Sequence, residues 1–332
     1  MGTLACGTRN GTKTITRLSK AMCCAPAGLH STRRDKVENW QPVQEAVGAH
    51  SWAHGVAAVK RTACAQAAVT DKVTAGHALG GHQYNLMYGM FLFPLRHEKI
   101  KMLEIGLGCG MLYGPGASAL LWRALLPKAE LWEAEVDGNC VEKHRSSLLA
   151  SGIRPLIGSQ RNATTLRQWM DESGGQFDVI IDDGGHSNLD ITSSFDGLWQ
   201  HIAPGGLYFV EDLQVGRRIK PRWAPSEDTA GARVFSDLVQ SWVEQKLVPY
   251  PPLRNNGYDS PDGTGATDYT SWGHTPSNRH SIAMRERHPL PANLSFVFCQ
   301  AEACVFGKEP SVEQRVARHV PCENATNHGR RV

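Results

Sequence analysis

Ile100-Lys101-Met102-Leu103-Glu104-Ile105-Gly106-Leu107-Gly108-Cys109-Gly110 is the stretch on which the fold turns. Ile100 to Ile105 reads as a short buried strand that runs straight into glycines. Glycines there let the backbone turn sharply and approach a ligand without side-chain clash. Ala117 to Leu126 follows with apolar residues at helical spacing, namely Leu120, Leu121, Ala124 and Leu125. Strand, glycine turn and helix form the first unit of an alternating α/β chain.

The unit repeats. Leu131 to Glu135 reads as a second strand, and Asp137 can cap a helix with Val141, Leu148 and Leu149 on one face. Arg154 to Ile157 is a third strand, followed by a helix bearing Leu166, Trp169 and Met170. Phe177 to Ile181 is an unbroken apolar run, the signature of a parallel strand covered on both faces. A helix with Phe195, Leu198, Trp199 and Ile202 in register is stopped by Pro204-Gly205-Gly206, and Leu207 to Val210 is the fifth strand. Val234, Phe235, Leu238, Val239, Trp242 and Val243 mark a clear amphipathic helix. Leu294 to Phe298 and Ala303 to Phe306 read as an antiparallel hairpin around Gln300-Ala301-Glu302. The expectation is an α/β protein with a doubly wound, mostly parallel sheet whose last strand is antiparallel.

The glycine loop has the order Gly-x-Gly-x-Gly, with Met111 where a dinucleotide fold wants its third glycine. Glu104 precedes the first glycine by two residues; it would repel a pyrophosphate and can pair with a ligand ammonium group. The pattern favours S-adenosyl-L-methionine, which carries an amine and a positive sulfur. Glu135, at the end of the second strand, can accept the ribose hydroxyls, with Glu133 and Asp137 as competitors for that role.

Asp182-Asp183-Gly184-Gly185-His186 follows the fourth strand and Glu211-Asp212 the fifth. In a doubly wound sheet both lie at the carboxyl edge, where ligands bind. Carboxylates gathered there repel one another unless a cation lies between them, and Mg²⁺ is the natural hard ion. The two glycines permit a turn that brings His186 back toward the same point.

Composition limits the alternatives. The chain of 332 residues is 41% hydrophobic and 20% charged, enough apolar content for a sizeable core. A net charge of +3 gives no electrostatic argument for nucleic acid as partner. No apolar run is long enough to span a membrane; Leu86 to Leu95 is too short and ends at Arg96. The nine cysteines form no Cys-x-x-Cys pair, and their scatter suits a reducing compartment. Residues 1–35 are basic and acid-free up to Asp35, the pattern of a disordered or organelle-targeting extension. The location expected is therefore cytoplasmic, or organellar if that extension is a transit peptide. Residues 36–75 read as a weakly helical region, 76–308 as the catalytic domain with a long loop over 251–281, and 309–332 as a polar tail.

The motifs at Glu104 to Gly110 and Asp182 to His186, with Pro204-Gly205-Gly206-Leu207-Tyr208-Phe209-Val210-Glu211-Asp212-Leu213, resemble those of class I S-adenosylmethionine-dependent methyltransferases. Within that class the chain resembles metal-dependent sugar O-methyltransferases of macrolide pathways, and eukaryotic relatives labelled hard-surface-induced proteins. The resemblance implies a seven-stranded Rossmann-like sheet. It implies that Asp183, Glu211 and Asp212 hold Mg²⁺, that His186 is the general base, and that Glu104, Gly106, Gly108, Gly110, Glu135 and Asp182 serve the cofactor. Thr70-Asp71-Lys72 with His82, Tyr84 and Tyr88 resembles a segment that covers the cofactor, which adds Tyr84 to that set. After the third strand, relatives carry Gly-Asp-Gln where this chain has Gly158-Ser159-Gln160; the Ser159 hydroxyl and Gln160 are the candidates for the adenine contact. The implied acceptor is a hydroxylated small molecule, a sugar or natural product, and the chain's own oligomeric state stays open. Rival readings are an aminopropyl transferase or a nicotinamide oxidoreductase on the same scaffold, and a non-catalytic binding protein.

Overall fold

The structure is a computed structural model. It describes residues 55, 57–59, 72, 82–111, 114–217, 233–247 and 287–317. The expectations for residues 1–35, for most of 36–75 and for the loop over 251–281 lie outside the described residues. Two compact units are distinguished: one takes in the chain to Lys99 with Leu107–Leu131 and His144–Ile153, and the other takes in Ile100–Gly106, Trp132–Lys143 and Arg154 onward.

The second unit is built on a sheet. Its strands are β1 (Lys101–Ile105), β2 (Glu130–Glu135), β3 (Ile153–Ile157), β4 (Phe177–Asp182), β5 (Ile202–Val210), β6 (Leu294–Gln300) and β7 (Ala303–Lys308). They lie in the order β3-β2-β1-β4-β5-β7-β6. β1, β4 and β5 run parallel. β7 enters antiparallel between β5 and β6, because the two-residue turn at Ala301-Glu302 returns the chain beside its predecessor. This is the doubly wound sheet with an antiparallel last strand that the pattern predicts. The order reverses between β1 and β4, and that switch point opens a crevice at the carboxyl ends of the strands.

Helices α1 (Asn85–Phe91), α2 (Ala117–Leu125), α3 (Gly138–Ala150), α4 (Ala163–Ser173), α5 (Asn188–Leu198), α6 (Phe235–Leu247) and α7 (Val312–Ala317) accompany the strands, with short 3-10 turns at Phe93–Leu95, Trp199–His201 and Val215–Arg217. Asn162 caps α4, accepting from the backbone N–H groups of Thr164 (2.8 Å) and Thr165 (3.4 Å). Leu166, Trp169 and Met170 face the core as their spacing predicts. Phe195 of α5 is the centre of an aromatic cluster: its ring lies 4.9 Å from Tyr208, 5.2 Å from Trp242, 5.2 Å from Phe306 and 5.4 Å from Phe235. These contacts tie α5 and α6 to β5 and β7, so the strand ends that carry the acids rest on a packed base. In the other unit, Tyr88 packs edge-on against Trp122 (4.8 Å between centroids).

Five local expectations are corrected. Ile202 is not the last residue of the α5 stripe but the first of β5. Pro204-Gly205-Gly206 therefore does not precede the strand; it forms a bulge in it, where Phe177 to Val179 on β4 spans Ile202 to Leu207 on β5. Leu149 is exposed, while Val141 and Leu148 are buried, because α3 turns that position to solvent. The polar tail begins as a helix: Ser311 accepts from the Gln314 N–H (3.2 Å) and Gln314 Oε1 accepts from the Ser311 N–H (2.8 Å), a reciprocal cap. The cysteines are not all unpaired thiols either. With a two-residue turn Gln300 faces Ala303, which sets Cys299 opposite Cys304, and these two form a disulfide.

Candidate active site

The site grows from the ends of β4 and β5. After Asp182 the chain makes the turn Asp183-Gly184-Gly185-His186 and enters α5 through Ser187, whose hydroxyl accepts from the Asp190 N–H (3.1 Å). His186 sits at φ +54°, and Asp212, two residues past β5, at φ +55°. Left-handed backbone at non-glycine residues costs of order 1–3 kcal/mol each and persists where the surroundings enforce it. Here the two strained residues face each other: His186 Nε2 lies 3.5 Å from Asp212 Oδ2. One ligand atom from each of Asp183, His186 and Asp212 lies within 4.8 Å of the others. All three are half-buried.

Neighbouring loops enforce this turn. The Asp183 N–H donates to the Ile105 carbonyl (3.0 Å), and a Cβ on Gly106, at φ +109°, would overlap the Asp183 carbonyl oxygen. Gly106 thus serves a backbone-to-backbone contact between the two loops. Gln160 accepts from the Gly185 N–H (2.8 Å) and donates to Asp182 Oδ1 (3.0 Å). Arg161 grips Asp190 through two nitrogens and reaches the Ser187 hydroxyl (3.0 Å). The turn is therefore held from β1, from the loop after β3 and from its own helix.

Other expected residues are placed as follows. Asp182 is buried, and its carboxylate accepts from Gln160, Ser194 and Tyr208. Burial pushes its carboxyl up to about 6, against the pull of Ser194 and Gln160. Its side chain is spent on the interior rather than directed to a ligand, and Gln160 is likewise a brace. Ser159 Oγ accepts from the Arg161 N–H (3.3 Å) within its own turn. Glu211 is buried at 2% exposure and does not join the Asp183–His186–Asp212 group. Glu104 is buried at the end of β1. Glu135 Oε1 accepts from the N–H groups of Val136 (2.8 Å) and Asp137 (3.1 Å), which fixes the carboxylate beyond β2. In the other unit, Gly108 adopts φ +80° and Gly110 has open space where a Cβ would stand. Tyr84 there stacks on His82, centroids 4.8 Å apart.

Sequence reasoning missed Arg161, Asp190 and Ser194, because a bracing network has no spacing signature. It also missed Gln214, which donates to Asp212 Oδ1 (3.2 Å), and Glu302, whose backbone carbonyl accepts from the Leu213 N–H (2.8 Å). Glu302 lies in the hairpin turn, and the order β5-β7 is what brings that turn beside Leu213.

The strand order puts the glycine turn after β1 and the acids after β4 and β5 at the carboxyl ends of neighbouring strands of a doubly wound sheet. The chain's homologues are macrolide and sugar O-methyltransferases. It is 28% identical over 186 residues to mycinamicin VI 2''-O-methyltransferase of Micromonospora griseorubida, covering 53% of this chain and 43% of that protein. It is 30% identical over 185 residues to demethylmacrocin O-methyltransferase of Streptomyces fradiae, covering 53% and 44%. The chain thus spans less than half the length of these two relatives. Among solved structures, the MycE methyltransferase of mycinamycin biosynthesis, in complex with Mg, SAH and mycinamycin VI, matches with TM-score 0.48 and 20% identity, over 76% of this chain and 54% of that one. No protein-family model matches the chain. No helix among the described residues is long and apolar enough to cross a membrane.

Proposed function

We propose that the protein is an S-adenosylmethionine-dependent, Mg²⁺-assisted O-methyltransferase acting on a hydroxyl of a small molecule, a sugar or natural product. The observation that carries this reading is the convergence of Asp183, His186 and Asp212 at the carboxyl ends of β4 and β5. Two carboxylates with adjacent oxygens match the hard donor set of Mg²⁺, and their half-burial leaves the point between them open to a ligand. Asp183 and Asp212 would hold the ion, which when bound would supply positive charge that favours the deprotonated hydroxyl. Glu104 and Glu135 suit the methionyl amine and the ribose hydroxyls of the methyl donor, each by its charge and its place at a strand end.

His186 takes the proton. An imidazole nitrogen can take up a proton from the acceptor, and Nε2 faces Asp212, so the imidazolium formed there meets a carboxylate. The acceptor oxygen attacks the methyl carbon, a C–O bond forms as the C–S bond breaks, and the products are a methyl ether and S-adenosylhomocysteine. The chain's contribution is alignment, and the braced turn supplies rigidity for it. The relatives' names support O-methylation. The test is transfer of labelled methyl from S-adenosylmethionine to a metabolite extract, with and without Mg²⁺. Label appearing in an alkali-stable ether only when Mg²⁺ is present supports the reading; no transfer in any extract, by protein that binds S-adenosylhomocysteine, rejects it.

A further inference from the structure

We propose that the Cys299–Cys304 disulfide is a redox clamp on the metal end of the site. Oxidised, it holds the β6–β7 turn against the segment that carries Asp212. Reduced by a dithiol, it releases that turn and weakens divalent-ion binding. The inference rests on the Mg²⁺-assisted reading above and adds to it a mode of regulation.

The disulfide sits where the acids can feel it. Cys304 of β7 pairs with Val210, the last residue of β5, and Glu211 and Asp212 follow directly. On its other side Cys304 pairs with Cys299 of β6, Cα atoms 4.1 Å apart. One pair further on, Gln300 and Ala303 close the turn at Ala301-Glu302. Asp212 stands left-handed, at φ +55°, between two anchors. The Glu211 N–H donates to the Asp182 carbonyl (3.0 Å), and the Leu213 N–H donates to the Glu302 carbonyl (2.8 Å). The second anchor is the hairpin turn. Its loss frees Asp212 to leave a strained backbone conformation and to carry its carboxylate away from His186.

The turn is poorly suited to hold that position by its own sequence. Two-residue hairpin turns favour glycine or asparagine where φ is positive. Glu302 stands there instead, at φ +68°, with a Cβ that crowds the following carbonyl. β6 ends the strand order and pairs with β7, and its register shifts between Leu294 and Phe296. A cross-link at the pair next to an unfavourable turn, on a terminal strand, fixes what the turn residues alone do not. Once the link is cut, Glu302 can relax toward negative φ, which takes its carbonyl off Leu213.

The disulfide is also open to exchange. Cys299 is exposed, while Cys304 is buried at 4% exposure, so an incoming thiolate attacks the Cys299 sulfur. A bond forms to Cys299 Sγ as the Cys299–Cys304 bond breaks, and Cys304 leaves as a thiolate that takes up a proton. The reductant's second thiol then displaces Cys299 from the mixed disulfide, and that sulfur is protonated in turn. The chain gains two electrons and two protons, and the dithiol becomes a disulfide.

The test compares the full chain before and after treatment with dithiothreitol, the disulfide state being read by alkylation and peptide mass. Hydrogen exchange at the Leu213 amide, measured on metal-free protein, reads the turn, and calorimetric Mg²⁺ titration of S-adenosylhomocysteine-loaded protein reads the acids. Reduction is expected to speed Leu213 exchange about tenfold and to weaken Mg²⁺ on the order of tenfold. Cys109 and Cys140 are disulfide-bonded as well, so the Cys299→Ser/Cys304→Ser double variant assigns the effect. It should match reduced wild type and ignore the reductant. Glu302→Gly, which makes the turn favourable, should shrink the oxidised-to-reduced ratio in both measurements to below about twofold. A disulfide that survives dithiothreitol in the folded protein, or exchange and affinity unchanged by its reduction, overturns the proposal. So does a double variant that still responds. Failure of the oxidised chain to bind Mg²⁺ while Leu213 exchange follows the redox state would instead refute the metal reading.

Discussion

Replacing Gly106 by alanine tests whether the glycine loop is shaped by the turn that carries Asp183 and His186. At φ +109° an L-residue is strained by about 1–3 kcal/mol. The new Cβ also overlaps the Asp183 carbonyl oxygen and stands 3.3 Å from Gly184 Cα, both backbone atoms without rotamer freedom. To make room the turn must back away from β1, which breaks the 3.0 Å bond from the Asp183 N–H to the Ile105 carbonyl, a net loss of about 1 kcal/mol. The sum is about 2–4 kcal/mol, or on the order of 10 °C in melting temperature for a domain of this size. Because Asp183 moves with the turn, Mg²⁺ affinity falls along with stability. Urea denaturation measures the first and calorimetric Mg²⁺ titration of the still-folded variant the second. A Gly106→Ala protein within about 0.5 kcal/mol of wild type and binding Mg²⁺ normally would refute the reasoning.

His186→Ala should lower turnover by about 10²–10⁴-fold while S-adenosylhomocysteine affinity is retained, since the imidazole moves a proton and holds no donor; equal turnover rejects the base assignment. Phe195→Ala should cost about 3–5 kcal/mol in chemical denaturation, because the ring is 2% exposed and its neighbours come from α6, β5 and β7; a loss below 1 kcal/mol would mean the cluster is not the base of the site. Asp182 gives a pH signature. With its carboxyl raised from 3.8 to about 6, the folded chain keeps a proton that the unfolded chain has lost between those values. Stability from this group is therefore present at low pH and lost as pH rises through that window, by about 3 kcal/mol in all. Denaturation in chelator from pH 4 to 7 should show Asp182→Asn gaining on the wild type by that amount, and parallel profiles would contradict it.

Local pattern carried most of the fold. Most apolar runs and helical stripes in the second unit, from Met102 to Phe306, fall in a strand or helix of the matching type, Ile202 being the exception. The misreadings sit where tertiary context overrides the local signal. Pro204-Gly205-Gly206 normally ends an element, yet pairing with β4 absorbs it as a bulge. The Cys299–Cys304 pair depended on whether the hairpin turn has two residues or three, a one-residue change of register that spacing alone leaves open. At the site, Asp183, His186 and Asp212 were legible because strand-end acids and a glycine turn are local features. Asp182 and Gln160 were given ligand roles by motif, but their side chains turn to Ser194, Tyr208 and Gly185, partners distant in sequence. Glu302 reaches the site only because β7 inserts beside β5, a fact of strand order rather than of any motif, while Gln214 is a neighbour of Asp212 in sequence that no motif marks.

Divalent-ion binding to the S-adenosylhomocysteine-loaded protein, followed by the paramagnetic resonance of Mn²⁺ as a Mg²⁺ surrogate, bears most directly on the union of acids and base at these strand ends. One tightly held ion per chain is the expected result, lost when Asp183 and Asp212 are both changed to Asn and retained in His186→Ala. An ion that still binds the double Asn variant, or a wild-type chain that takes up none, would contradict it.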